Sequence, residues 1–165
     1  MTDLSSLIPA ARMLIALCKS HGLKIATAES CTGGLIAAVL TEVPGSSAVV
    51  DRGFVTYSNG AKIDLLDVPE AILDDPAIGA VSEQTARAMA MGALQASDAH
   101  LVVAVTGIAG PDGGSPHKPI GLVHFAATRR GGEVFHREER FGNIGRSEVR
   151  LATVREALGM LHALI

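Results

Sequence analysis

The run His100-Leu101-Val102-Val103-Ala104-Val105-Thr106 constrains this chain more than any other stretch. Between its polar ends it is short, apolar without interruption from Leu101 to Val105 and rich in β-branched residues, so as a strand it has no side to show to water. Such a strand needs cover on both faces, and the flanking segments supply it as helices. Leu4, Leu7, Ile8, Ala11, Leu14, Ile15 and Cys18 recur at three-and-four spacing until His21-Gly22, with Pro9 confined to the early turns. Behind a capping Ser82, the residues Ala86, Met89, Ala90, Ala93 and Leu94 share one helical face. A last stripe, Leu151, Val154, Leu158, Leu161 and Ile165, starts near Asn143 or Gly145.

The remaining segments alternate in the same way. Lys24 to Ala28 reads as a short strand, and Leu35 to Thr41 as a helix ended by Pro44-Gly45. Ala48 to Tyr57 is a longer extended stretch with Gly53 as its bulge position, turned by Ser58-Asn59-Gly60 into a short helix over Asn59 to Leu66. Pro69 to Gly79 is loop or broken helix, and Gly107 to Pro116 is too rich in glycine and proline for regular structure. Gly121 to Thr128 and Glu133 to Phe141 form a hairpin closed at Gly131-Gly132. There is no internal repeat and no linker. The pattern predicts an α/β fold: a three-layer α/β/α sandwich around a mixed sheet, one domain over residues 1–165, with function at the strand ends.

Composition narrows the function. A chain of 165 residues buries enough surface to fold without disulfides or a structural metal, and 48% hydrophobic against 19% charged residues excludes a disordered segment. The net charge of −3 gives no basic field for nucleic acid, and 3% aromatic residues offer few platforms for stacked bases. Cys18 and Cys31 stand apart with no CxxC spacing, which fits a reducing, cytoplasmic setting. No basic residue precedes the first apolar segment and no apolar run is long enough to span a bilayer, so neither targeting nor a membrane is expected. The six histidines make no HxxxH or HxH pair, and neither a metal nor a cofactor is expected; His124 and His136 fall where they can meet across the hairpin.

Three segments can carry chemistry. Thr27-Ala28-Glu29-Ser30-Cys31-Thr32-Gly33-Gly34 puts two nucleophiles, Ser30 and Cys31, where a strand ends and a helix begins. Unpaired N–H groups at such a helix start can hold a phosphate or an oxyanion, although Ser30 or Thr32 can equally be a helix cap and Cys31 a buried thiol. The segment is neither a GxSxG elbow nor a Walker loop. In Tyr57-Ser58-Asn59-Gly60-Ala61-Lys62, a desolvated Lys62 can turn neutral near pH 7 and accept the proton of Ser30. Thr106-Gly107-Ile108-Ala109-Gly110-Pro111, directly after the buried strand, suits a backbone cradle for an anion or a carbonyl. Arg146 and Arg150 open the last helix within reach of a phosphate.

These segments, with Val81-Ser82, Gly113-Gly114, Lys118-Pro119-Ile120-Gly121 and Phe141-Gly142, resemble in wording and order the CinA C-terminal domain family, the nicotinamide-nucleotide amidohydrolases. The resemblance covers almost the whole chain. It implies hydrolysis of the carboxamide of nicotinamide mononucleotide to nicotinate mononucleotide and ammonia. Ser30 would attack, Lys62 would be the base and Tyr57 would assist proton movement or orient the lysine. Cys31, Thr32, Gly33, Gly34, Thr106, Gly107, Ala109 and Gly110 would line the substrate, and Arg146 would meet its phosphate. Two departures stand out: Phe141-Gly142-Asn143-Ile144-Gly145-Arg146 is stretched and lacks an acidic residue before the arginine, and Asp112 precedes Gly113-Gly114 in place of a glycine. Larger members carry an N-terminal domain for which 165 residues leave no room, so its activity is expected to be absent. A homo-oligomer is expected, with a small molecule as the binding partner. The competing expectations are a pyridine-nucleotide-binding regulatory module without turnover, and thiol catalysis at Cys31.

Overall fold

The computed structural model describes residues 2–165. A five-stranded mixed sheet forms its centre, in the order β2-β1-β3-β4-β5. β1 (Ile25–Glu29) pairs in parallel with β2 (Val50–Val55) on one side and with β3 (Leu101–Gly107) on the other. β4 (Leu122–Arg129) runs antiparallel to β3, and β5 (Val134–Arg140) closes the expected hairpin. No helix among the described residues is long and apolar enough to cross a membrane.

The order around β1 dictates where the helices go. The chain leaves β1 toward β2 through α2 (Leu35–Thr41), then returns past β1 to β3 through α3 (Asn59–Leu66), α4 (Glu70–Asp74) and α5 (Glu83–Gln95). Right-handed crossovers in opposite directions place their helices on opposite faces. α2 accordingly shares one core with α1 (Ile8–Ser20) and α6 (Arg146–Ala163), packed on Ile25, Leu101, Val103, Val105, Val123 and Phe125. α5, with Leu66 of α3 and Leu73 of α4, covers the other face over Ala26, Ala28, Val102, Ala104 and Ala126. The β3 run therefore divides its side chains alternately between two cores, as an apolar strand with two covered faces must.

The second core is built from small residues. Ala86, Ala90 and Ala93 of α5 meet strand alanines, and Gly92 lies against the end of α3, where an added Cβ would stand 1.9 Å from the Leu66 carbonyl oxygen. Arg130 then closes the far end of α5, donating to the carbonyls of Leu94, Ser97 and Ala99.

The structure adjusts several sequence expectations. Pro69 to Gly79 contains one short helix, α4, and the extended stretch around Tyr57 is shorter than expected because Ser46–Ala48 forms a 3-10 turn. The register of β1 with β2 slips between Ile25 and Ala26, so the irregularity falls near Asp51 rather than at Gly53. Gly53 is needed for packing: a Cβ there would stand 2.9 Å from the Ala37 Cβ of α2. The strand before the first glycine turn ends at Glu29, not Ala28, which buries an acidic side chain completely.

Gly92→Ala should gain helix propensity of ~1 kcal/mol and lose more to overpacking, for a net destabilisation of roughly 1–3 kcal/mol. Thermal unfolding should show a midpoint lowered by about 2–4 °C per kcal/mol. An unchanged or raised midpoint would mean that α3 and α5 separate freely.

Candidate active site

The carboxyl ends of the three parallel strands meet at one place. Ser30 follows β1, Thr56 and Tyr57 follow β2, and Thr106 and Gly107 end β3. This is the crevice at which an open α/β sheet reverses its strand order. A cleft of about 280 Å³ opens there. Its wall includes Ser30, Cys31, Tyr57, Lys62, Thr106, Gly107, Ala109, Gly110 and Arg146, so residues from four separate segments converge.

Lys62 is the largest of the fully buried side chains, 1% exposed, and is set by the first turn of α3, where the Ser58 hydroxyl accepts from the Ala61 N–H. Its Nζ lies 3.0 Å from Ser30 Oγ, 2.9 Å from the Thr56 carbonyl and 3.3 Å from the Tyr57 carbonyl. Burial lowers its pKa from the ordinary 10.5. Among the described residues no carboxylate pairs with it to reverse that effect.

The Cys31 thiol behaves oppositely: burial, reinforced by the nearby Glu29 charge, pushes its pKa up to about 12. It is protonated at neutral pH and hence a poor nucleophile. Tyr57 contributes in two places. Its carbonyl receives the lysine, while its phenol oxygen, on a side chain that is 59% exposed, accepts from Arg146 Nη2 at 3.0 Å. Arg146 Nη1 donates to the Gly110 carbonyl at 2.8 Å, so the arginine joins the glycine loop to the tyrosine. The stretched segment before Arg146 thus still delivers it to the cleft wall.

Thr32, Gly33 and Gly34 are not among the residues of the cleft wall. They wrap instead around Glu29, a side chain given no role by sequence. The Thr32 hydroxyl and the N–H groups of Gly34, Ile36 and Ala37 all donate to the Glu29 carboxylate. Gly33 (φ 61) and Gly34 (φ 98) take the left-handed conformation that this wrapping requires. The helix N-terminus expected to receive an external anion is therefore filled from within. Other donors border the cleft: among the described residues the N–H groups of Cys31, Ala109 and Gly110 donate to no backbone carbonyl. An acidic residue at the end of an apolar strand, flanked by Thr27 and Thr32, is the signal that could have revealed Glu29. Asn59 and Val81 also line the cleft without having been singled out as contacts.

His124 and His136 do meet across the hairpin, Nδ1 to Nε2 at 3.0 Å, beside Glu83 and Glu138. Neither lines the cleft.

Burial of Lys62 has a thermodynamic signature. The folded protein releases this proton at lower pH than the unfolded chain, so between the lowered value and 10.5 the unfolded state binds more protons and stability rises with pH. Relative to Lys62→Met, the wild type should gain stability as pH approaches 10.5, measured by urea unfolding across that range. A constant difference would show that Lys62 is charged in both states.

Comparison with known proteins agrees with this organisation. Over 136 residues the chain is 51% identical to a nicotinamide-nucleotide amidohydrolase PncC of Enterobacter agglomerans, covering 82% of this chain and 81% of that one. A competence-damage inducible protein of Symbiobacterium thermophilum is 60% identical over 115 residues, 70% of this chain and only 26% of its own length. The chain thus spans about a quarter of that longer relative. The crystal structure of competence/damage inducible protein CihA from Agrobacterium tumefaciens has a TM-score of 0.93 at 60% identity, covering 95% of this chain and 94% of that one. With residues 8–165 matching its profile, the chain belongs to the CinA C-terminal domain family.

Proposed function

We propose that this protein is an amidase that hydrolyses the carboxamide of nicotinamide mononucleotide to nicotinate mononucleotide and ammonia. The carrying observation is the buried Lys62 amine 3.0 Å from Ser30 Oγ in the cleft, and the PncC-named relative supplies the substrate. A neutral amine has two N–H bonds and one lone pair. The carbonyls of Thr56 and Tyr57 take the two N–H bonds, which leaves the lone pair to accept the Ser30 hydroxyl proton.

Ser30 Oγ attacks the amide carbon as Lys62 Nζ takes its proton. The oxyanion is received by the N–H groups of Cys31 and the Ala109-Gly110 segment, which no backbone carbonyl occupies, rather than by the start of α2. The Lys62 ammonium then passes its proton to the amide nitrogen, which leaves as ammonia. Water attacks the resulting ester, Lys62 takes one of its protons and returns it to Ser30 Oγ, and the acid departs. Arg146 pairs with the phosphate, exchanging its contact with the exposed Tyr57 phenol for a charged one. Tyr57 orients the lysine through its carbonyl, and its ring closes the side of the cleft.

The test is ammonia release and the amide-to-acid mass change with chelator-treated protein and nicotinamide mononucleotide. Ser30→Ala should lower kcat by at least about a thousandfold, and Cys31→Ala should leave most of it. Arg146→Ala should act mainly on KM, raising it about tenfold to a hundredfold for the loss of a charged hydrogen bond of ~1.5–3 kcal/mol. Because the base must be neutral, kcat/KM should fall as pH drops through the lowered Lys62 pKa. Saturable binding of the nucleotide with no ammonia would instead favour a regulatory binding module.

A further inference from the structure

Glu29 is 0% exposed and yet has no cationic partner among the described residues. A buried carboxylate of this kind needs donors from elsewhere. Five supply them. Oε1 accepts from the Thr27 hydroxyl at 3.1 Å and the Ala37 N–H at 2.8 Å. Oε2 accepts from the Thr32 hydroxyl at 2.7 Å and from the N–H groups of Gly34 and Ile36 at 3.1 and 2.9 Å.

These donors come from both sides of Ser30 in sequence. Thr27 lies on β1, Thr32 and Gly34 lie on the turn, and Ile36 and Ala37 lie in the first turn of α2. The main chain is anchored around the same point. Ser30 N–H donates to the Val105 carbonyl, and Thr56 N–H donates to the Glu29 carbonyl. The second bond ties the nucleophile strand to the segment whose next carbonyls hold the Lys62 amine. Glu29 thus joins the strand, the turn and the helix that together set the direction of the Ser30 side chain.

We propose that Glu29 is the positioning residue of the serine: its carboxylate gathers the turn from Thr32 to Ala37 and so holds Ser30 Oγ within hydrogen-bond reach of Lys62 Nζ. The proposal rests on Ser30 acting as the nucleophile. A carboxylate suits this position because all five contacts are donors, and three are backbone N–H groups that cannot turn round. A glutamine has the same shape, but its NH2 must face either Ala37 N–H or the N–H groups of Gly34 and Ile36, donor against donor. The turn must shift to relieve that clash. The charge has a second consequence at the site: it helps keep the neighbouring Cys31 thiol protonated, which favours the hydroxyl over the thiol.

The experiment compares wild type, Glu29→Gln, Thr32→Val and Leu161→Ala, the last as a control destabilised at the end of α6 far from the turn. Three quantities are read: kcat and KM for nicotinamide mononucleotide, and the rate at which a fluorophosphonate labels Ser30, followed by mass spectrometry. Glu29→Gln should lower kcat and the labelling rate together, on the order of a hundredfold, as expected for a nucleophile displaced by about 1 Å. Its KM should change little, because Arg146 and the glycine loop are untouched, and Leu161→Ala should keep wild-type labelling at a temperature where it is folded. Folded Glu29→Gln with wild-type kcat and labelling overturns the proposal. If Glu29→Gln does not fold, Thr32→Val decides: a several-fold loss of kcat and labelling at constant KM supports positioning, and no loss overturns it. Failure of the substrate assignment looks different. Wild type would then release no ammonia but still label at Ser30, and loss of that labelling in Glu29→Gln would leave the positioning role standing. A wild type that neither labels nor turns over removes Ser30 as nucleophile, and both proposals with it.

Discussion

Parallel pairing on both sides of β1 is the constraint from which the rest of the molecule follows. A strand hydrogen-bonded in the same direction to β2 and β3 brings three chain exits to one end of the sheet. The pairing continues past the strands, because Ser30 N–H still donates to Val105 and Thr56 N–H to Glu29. Ser30, the segment carrying Lys62 and the glycine loop are consequently set by ladder geometry rather than by long flexible loops. Opposed right-handed crossovers then require helices on both faces, which closes the interior around these exits.

Two charged side-chain types are buried within this region and handled differently. Glu29 is surrounded by donors and Lys62 by acceptors, and the two are not an ion pair among the described residues. Pairing them directly would satisfy both, but a carboxylate beside the amine would stabilise its charged form and hold on to the proton. Keeping Lys62 among carbonyls and one hydroxyl leaves its pKa lowered by burial. The arrangement costs stability at neutral pH, a common feature of sites that need a group in an unfavourable protonation state.

Much of the architecture was legible in linear patterns. The apolar β3 run called for two covered faces, the three-and-four stripes of α1, α5 and α6 supplied the cover, and Gly131-Gly132 announced the hairpin. Errors fell where local signals were weak. Gly53 looked like a bulge, because a glycine chosen for its closeness to Ala37 is indistinguishable in sequence from one chosen for a kink. Cleft residues after each strand were found because strand ends are where such sheets bind. Thr32, Gly33 and Gly34 were expected at the substrate because a glycine turn before a helix can hold an anion, and the structure places the Glu29 carboxylate at that helix start.

The sequence by itself determined the period of each element, the alternation of strands and helices and the reactive residue types at strand ends, all of which depend on near neighbours in the chain. Only the tertiary structure decided which of those residues meet. Lys62 comes to Ser30 across 32 positions, and Arg146 to Tyr57 across 89. The donors to Glu29, by contrast, all lie within eight positions of it, from Thr27 to Ala37. Separations such as those of Lys62 and Arg146 are set by strand order and packing, for which neighbouring residues carry no periodic signal.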